Sequence, residues 1–477
     1  MKRLFRKINS EYLELIYHFK NYLSVSIFTK FLAFISIPIF TRLLGPEGYG
    51  GTSMFLSIVS IVSIFAAMGL DSSIKRYYFE AGNNKKQFIS SNIIVVFVFN
   101  SLLILFVLAF QDKLADIVEI PNTLLILGFL VGIMHAYKSI IFGLWQASRF
   151  SGQISKVSIA NGTITIVVSI ILVLILNDYY GQVYGYLISA LLINLFLLNK
   201  VKNLFIIHFD KKLIKYSLVI GIPLVFNQVA GYVLVFFDRL VINKYYGMNE
   251  TGIYSFAYNV AMIMEMIIFA LNSAWLPIFF KKMNENGIES LNPYFKVFSK
   301  IIFLSALALI SFSSELLMIL ADDRYNTALS IVPVIILGYV FKFLYSFFSN
   351  VEYFYKKTIA LAFFSILAGV VNIVLNLIYV PLYGGIGAAY TTLISYVLLF
   401  LLHFLYVDKV LKVKVFRIQI LLIPLIQFVI GLLLIDTVSG IIDNYVLVFV
   451  VKIGVIIILA SVYFYGNYFR TKSNYKG

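Results

Sequence analysis

The 477-residue chain has no cysteine. That removes disulfide frames, thiolate nucleophiles and cysteine-based metal sites. It is also poor in charge. Asp, Glu, Lys and Arg make up 13 % of its residues, where soluble globular domains carry about 25 %. What it has instead is apolar: 61 % of residues are hydrophobic and the mean hydropathy is +0.94. A soluble domain must cover its surface with polar groups, and this chain has too few. The composition excludes a soluble enzyme, a disordered protein and a nucleic-acid module, and leaves an integral membrane protein. The formal charge of +16 would suit nucleic acid, but in a membrane chain it reads as topology, because basic residues collect in cytoplasmic loops.

The apolar runs, such as Ile93–Phe110 and Ile164–Leu176, are too long for barrel strands and do not alternate, so they are helices. Fourteen spans are expected, at about 21–41, 53–71, 89–110, 123–144, 157–176, 182–199, 217–240, 252–274, 300–320, 329–350, 358–379, 386–406, 418–436 and 445–465. With the N-terminus inside, the cytoplasmic segments hold 29 of the 38 basic residues, the outer loops five and the spans four. That bias persists to the C-terminus, which supports an even count with both termini cytoplasmic. Residues 1–20 place Leu4, Ile8, Tyr12, Leu15, Ile16 and Phe19 on one helical face, as an amphipathic interfacial helix would.

An internal repeat emerges at an offset of 202 residues. Gly45 and Gly50 align with Gly247 and Gly252, Ser53 with Ser255, and Gly185 with Gly387. Two six-helix lobes in parallel repeat are expected, 21–215 with its basic linker and 216–406, followed by a helix pair and basic tail over 407–477. Two facing lobes can rock about a central cavity, which points to transport.

A charge at mid-bilayer costs about 2.5–3.5 kcal/mol on insertion scales, so each needs a reason. Lys30 and Lys342 fall mid-span and could line a cationic cavity for an anionic substrate; the other reading of each is an ion pair with Glu265, which could neutralise only one of them, or snorkelling to an interface. Lys138 lies near the inner end of the fourth span with His135. Arg42 and the pair Asp238-Arg239 close the outer ends of the first and seventh spans, where an arginine can grip phosphate bidentately. Asp238-Arg239 could equally be a salt bridge that serves as a gate. Lys452 and His403 read as interfacial, and the amides Asn372 and Asn376 as helix-to-helix glue. No metal-ligand cluster, P-loop or nucleophile–base spacing is present, so no catalytic residue and no metal site is assigned.

Several motifs carry a resemblance. Ile37-Pro38…Thr41-Arg42-Leu43-Leu44-Gly45-Pro46-Glu47-Gly48-Tyr49-Gly50 resembles the signature after the first helix of bacterial polysaccharide and O-antigen repeat-unit flippases of the Wzx type. Asp238-Arg239…Gly252-Ile253-Tyr254-Ser255…Tyr258 with Trp275…Pro277, and Pro381-Leu382-Tyr383-Gly384-Gly385-Ile386-Gly387-Ala388-Ala389, resemble later parts of the same pattern. These flippases belong to the multidrug/oligosaccharidyl-lipid/polysaccharide exporter superfamily. The resemblance implies a MATE-like all-α fold and export of undecaprenyl-pyrophosphate-linked oligosaccharide across the bacterial cytoplasmic membrane. It also implies a cationic cavity, which Lys30, Arg42 and Arg239 match best. Membrane lipids, a polymerase and chain-length proteins are the implied partners, and nucleic acid is not. No cofactor is expected. Coupling to Na+ or H+ is open, with Glu265 and His135 the first candidates. Three other readings stand beside this one: a flippase for the lipid-linked peptidoglycan precursor, a cation-coupled multidrug exporter, and a membrane-embedded glycan polymerase, which would be an enzyme.

Overall fold

The computed structural model describes residues 2–80, 84–206, 208–285, 287–414 and 419–474. Among these residues all regular structure is helical. The main helices are α1 (Lys2–Ala67), α2 (Leu70–Glu80), α3 (Lys85–Val118), α4 (Asn122–Ala147), α5 (Ser151–Leu176), α6 (Tyr180–Val201) and α7 (Lys211–Tyr232). They continue with α8 (Asp238–Glu285), α9 (Asn292–Ser311), α10 (Ser313–Leu320), α11 (Ala328–Phe354), α12 (Thr358–Leu405), α13 (Gln419–Ile441) and α14 (Tyr445–Asn474).

Eleven helical stretches among the described residues are long and apolar enough to cross a membrane. Three of them, Ser24–Glu80, Lys211–Glu285 and Thr358–Val410, run to 57, 75 and 53 residues. At about 1.5 Å per residue each far exceeds a hydrocarbon core of about 30 Å. Each is broken by a glycine in the left-handed region: Gly45 at φ 66°, Gly247 at φ 75° and Gly384 at φ 59°. A side chain disfavours that conformation, so glycine is what lets the helix kink there.

The chain divides into two compact units, residues 1–255 and 256–477, and the division falls within α8. The first unit therefore holds α7 as well as α1–α6. Its core is built where small residues let helices approach. Gly128 and Gly132 on α4 face Ile58 and Val62 on α1, where an added Cβ would meet side-chain atoms at 2.8 Å. Met54, Phe55, Val59, Leu124, Val131 and Val183 fill the space around that contact. The outward faces stay apolar, with Phe97, Leu102 and Leu105 exposed on α3, as a lipid-facing helix requires.

The second unit is organised on buried aromatics. Trp275 packs within 5.1–5.8 Å, ring centre to ring centre, of Phe279, Tyr294, Phe298 and Phe347. α13 joins through Phe428 on Phe303, at 5.8 Å, and through Gly431 against Leu307. α14 is fastened differently. Lys452 is buried and places its Nζ 2.7 Å from Glu315 Oε1 on α10. Lys452 is thus held within the protein by an ion pair. A carboxylate inside the ninth span, overlooked in an apolar run, draws it inward. Likewise His403 is buried, with Glu352 on α11 2.7 Å from its Nδ1.

Candidate functional site

Around Gly45 and Gly247, α1 and the start of α8 meet in the first unit along a contact made of backbone. A Cβ at Gly50 would lie 1.9 Å from the carbonyl oxygen of Met248. A Cβ at Gly252 would lie 1.8 Å from the carbonyl oxygen of Pro46. Each partner stands 202 positions from its counterpart, so the two contacts are the same contact seen from either side. This is the pattern of a two-fold interface, in which residue i meets j′ and j meets i′. On the same pseudo-axis Ser53 Oγ and Ser255 Oγ approach to 2.6 Å. The repeat is thus a pair of apposed surfaces as well as a pair of related sequences.

A π-helical turn at Val233–Phe237 precedes this contact and aims Asp238 and Arg239 at it. Both are buried, Asp238 fully and Arg239 with 4 % of its surface exposed. Arg239 donates from Nε to Ser255 Oγ at 3.1 Å and from its guanidinium to the Val235 carbonyl. It also lies 5.1 Å from the Phe236 ring centre. Asp238 accepts the Tyr254 hydroxyl. Asn243 donates to the carbonyls of Val118 at 2.7 Å and Glu119 at 2.9 Å, tying α8 to the end of α3.

The opposite end of the same helices is also joined. Gly69, at φ 68°, and Gly221 on α7 touch through their backbones. A Cβ at Gly69 would lie 2.3 Å from the Gly221 carbonyl oxygen, and one at Gly221 2.4 Å from that of Met68. One turn along, the Tyr216 hydroxyl donates to Glu80, which Arg76 also holds at 3.0 Å. The linker is pinned to α3: the Ile206 and Asp210 amides donate to the hydroxyls of Ser90 and Ser91 at 3.0 and 3.1 Å.

The other expected residues are placed as follows. Lys30 is half-buried on α1, and Arg42 is exposed one turn before Gly45. His135 and Lys138 are both half-buried on α4, one turn apart, and among the described residues no carboxylate forms an ion pair with Lys138. In the second unit Lys342 on α11 meets Glu265 on α8, Nζ to Oε2 at 2.8 Å. Their side chains remain 22 % and 30 % exposed, although the Oε2 that faces the lysine is itself buried. Lys342 Nζ also lies 5.3 and 5.8 Å from the ring centres of Tyr339 and Tyr396. Asn372, Asn376 and Thr391 form a wholly buried chain, with Asn376 Nδ2 3.1 Å from Asn372 Oδ1 and Thr391 Oγ1 2.8 Å from Asn376 Oδ1. The structure thus brings Lys342 to Glu265, and Asp238-Arg239 to the serine and tyrosine pairs of the repeat. Sequence reasoning aligned Ser53 with Ser255 but gave no sign that they touch. It missed Glu80–Tyr216 altogether.

The family description "Polysaccharide biosynthesis protein" matches residues 20–283. The chain belongs to that family. A second, overlapping match to the MatE family covers residues 223–378. The chain is 22 % identical over 416 residues to a Haloferax volcanii protein named "Probable low-salt glycan biosynthesis flippase Agl15", covering 82 % of each chain. Among solved structures it resembles the lipid II flippase MurJ in an inward closed conformation, with a TM-score of 0.78 and 18 % identity over 93 % of this chain and 98 % of that one. It also resembles an inward-facing multidrug-resistance MATE transporter of the MOP superfamily, with a TM-score of 0.66 and 16 % identity over 80 % and 96 %. This member of the polysaccharide biosynthesis family is a multi-pass membrane protein with the all-α fold that MurJ and MATE proteins share.

Proposed function

We propose that the protein is a flippase that carries a lipid-linked oligosaccharide, anchored on undecaprenyl pyrophosphate, across the bacterial cytoplasmic membrane by alternating access. Both termini are cytoplasmic in this reading, so the Gly50–Gly252 contact closes the outer side and the Gly69–Gly221 contact the inner side. The observation that carries the proposal is the reciprocal glycine contact. It brings α1 and the start of α8 together at backbone distance, with the Ser53–Ser255 and Arg239–Ser255 hydrogen bonds beside it. Lys30, Arg42, Lys138 and Arg239 of the first unit are the basic groups to neutralise the pyrophosphate and offset its desolvation. Moving negative charge outward is then favoured by about 2.3 kcal/mol per charge per 100 mV of inside-negative potential. Family membership and the Haloferax relative's name support a glycan cargo.

The test is a deletion strain in which lipid-linked oligosaccharide is extracted and its leaflet probed with an impermeant lectin. The proposal expects intact repeat units to accumulate on the cytoplasmic face, and the gene in trans to clear them. Accumulation of the peptidoglycan precursor instead would assign the cargo to the other lipid-linked class. Accumulation of unpolymerised units on the outer face would make the protein part of polymerisation and overturn the proposal.

A further inference from the structure

The break in α12 at Gly384 makes a cavity. A continuous helix would hold Tyr379 and Gly387 about 12 Å apart along its axis. Here a Cβ added at Gly387 would lie 2.8 Å from the Tyr379 carbonyl oxygen and 3.0 Å from the Tyr383 Cβ. The bend brings the two stretches of α12 together, and a space of about 370 Å³ opens beside their contact. Pockets that hold small ligands span about 300–1,000 Å³. Tyr379, Tyr383, Gly387, Tyr390, Thr391 and Ile394 line this one.

The lining decides what the cavity can hold. A buried water needs about two to four polar partners, and a sugar ring needs more. Thr391 has little to offer either, because its hydroxyl already donates to Asn376 Oδ1 and lies within hydrogen-bond reach of the Ala388 carbonyl, both at 2.8 Å. What remains is mostly apolar surface, the tyrosine rings and Ile394, with phenol hydroxyls as the other polar groups. Tyr379 and Tyr383 stack with ring centres 6.3 Å apart. A saccharide would lose hydrogen bonds to water without replacing them here, whereas a hydrocarbon chain would lose none.

The setting agrees with the lining. Tyr379, Tyr383, Tyr390 and Ile394 are exposed, as are Leu377, Ile378 and Leu382 around them. They belong to a stretch, Thr358–Val410, that is apolar enough to cross a membrane. Tyrosines gather at the membrane–water boundary, and Ile394 stands about 15 Å along the helix from the break, at the depth of the lipid chains. What lies outside the cavity is therefore lipid, and a void there would forfeit dispersion contacts along its walls. We propose that the cavity is a lipid site that holds one acyl chain of a membrane phospholipid, with the tyrosine rings as walls and Gly387 leaving the room a side chain would take. In the topology of the proposed function the lipid belongs to the outer leaflet. The binding itself does not rest on the flippase reading.

Moving a chain from lipid into an apolar cavity gains no hydrophobic free energy, because the two are equally apolar. The preference comes from contact with the rings and is expected to be severalfold. The test is photolabelling of the full-length protein in phosphatidylcholine nanodiscs, doped with phosphatidylcholine that carries a diazirine on one acyl chain. Adducts are mapped by peptide mass spectrometry. Severalfold more adduct is expected on residues 379–394 than on residues 171–176 of α5, where Ile171, Leu174 and Ile175 are exposed. Ile394→Trp fills the cavity from its rim and should bring the two segments level. Equal labelling of both segments in the unmutated protein, or an unchanged excess in Ile394→Trp, would overturn the site. Should Ile394→Trp misfold, competition in detergent decides: unlabelled phosphatidylcholine is expected to displace the probe from residues 379–394 to saturation, and labelling that never saturates would overturn the proposal. Displacement by undecaprenyl phosphate but not by phosphatidylcholine would overturn the acyl assignment and give the cavity to an isoprenoid chain. None of these results requires flipping, so each stands or falls apart from the transport reading.

Discussion

Gly252→Ala is the sharpest perturbation of the contact that closes one end of the first unit. Its Cβ would lie 1.8 Å from the Pro46 carbonyl oxygen, so the two backbones must part by about 1.5 Å to reach ordinary van der Waals distance. Overpacking of this kind costs about 1–3 kcal/mol. Charged to the closed state alone, that shifts the closed-to-open ratio by about 5- to 150-fold. The chain has no cysteine, so a single Ser53→Cys reports on the contact without background. Its labelling by an impermeant maleimide added outside intact cells is expected to rise by that factor when Gly252→Ala is introduced. Gly50→Ala is expected to act likewise, and the two together by less than the product, since both wedge one contact. Gly231→Ala is the control, with nothing within 4 Å of its added Cβ. Unchanged labelling in Gly252→Ala, with Gly231→Ala also unchanged, would show that this contact does not set accessibility.

Other outcomes follow from the same geometry. Lys30→Ala or Lys342→Ala is expected to lower export while insertion and abundance stay normal, measured by surface glycan and by membrane immunoblot; equal export would remove their part in cargo binding. Lys452→Ala leaves Glu315 buried without its partner and should destabilise the protein by about 3–5 kcal/mol. Lys452→Met with Glu315→Leu should recover most of that, both read from thermal unfolding in detergent. Gly221→Ala should wedge the opposite end and raise labelling of a cysteine at Ser72 from the cytoplasmic side only.

The membrane class and the helical fold were legible because lipid imposes long apolar runs on any chain that crosses it. The breaks around Gly45, Gly247 and Gly384 fell in the polar gaps between apolar runs and were legible for that reason. The pairings were not. Glu315 and Lys452 lie 137 residues apart, and Glu352 and His403 lie 51 apart. Helices that are apolar all round carry no amphipathic stripe to show which face is buried. Lys452 near a span end therefore read as interfacial, since the carboxylate that pairs with it lies on another helix. The repeat showed that Ser53 and Ser255 are equivalent. Equivalence says nothing about contact, which depends on where the two-fold axis passes.

Ser53→Cys with Ser255→Cys tests the central claim most directly, because the two hydroxyl oxygens already stand 2.6 Å apart. In vesicles loaded with lipid-linked oligosaccharide, oxidation to the disulfide should stop flipping and reduction should restore it. Undiminished flipping by fully cross-linked protein would mean that cargo does not pass where these helices meet.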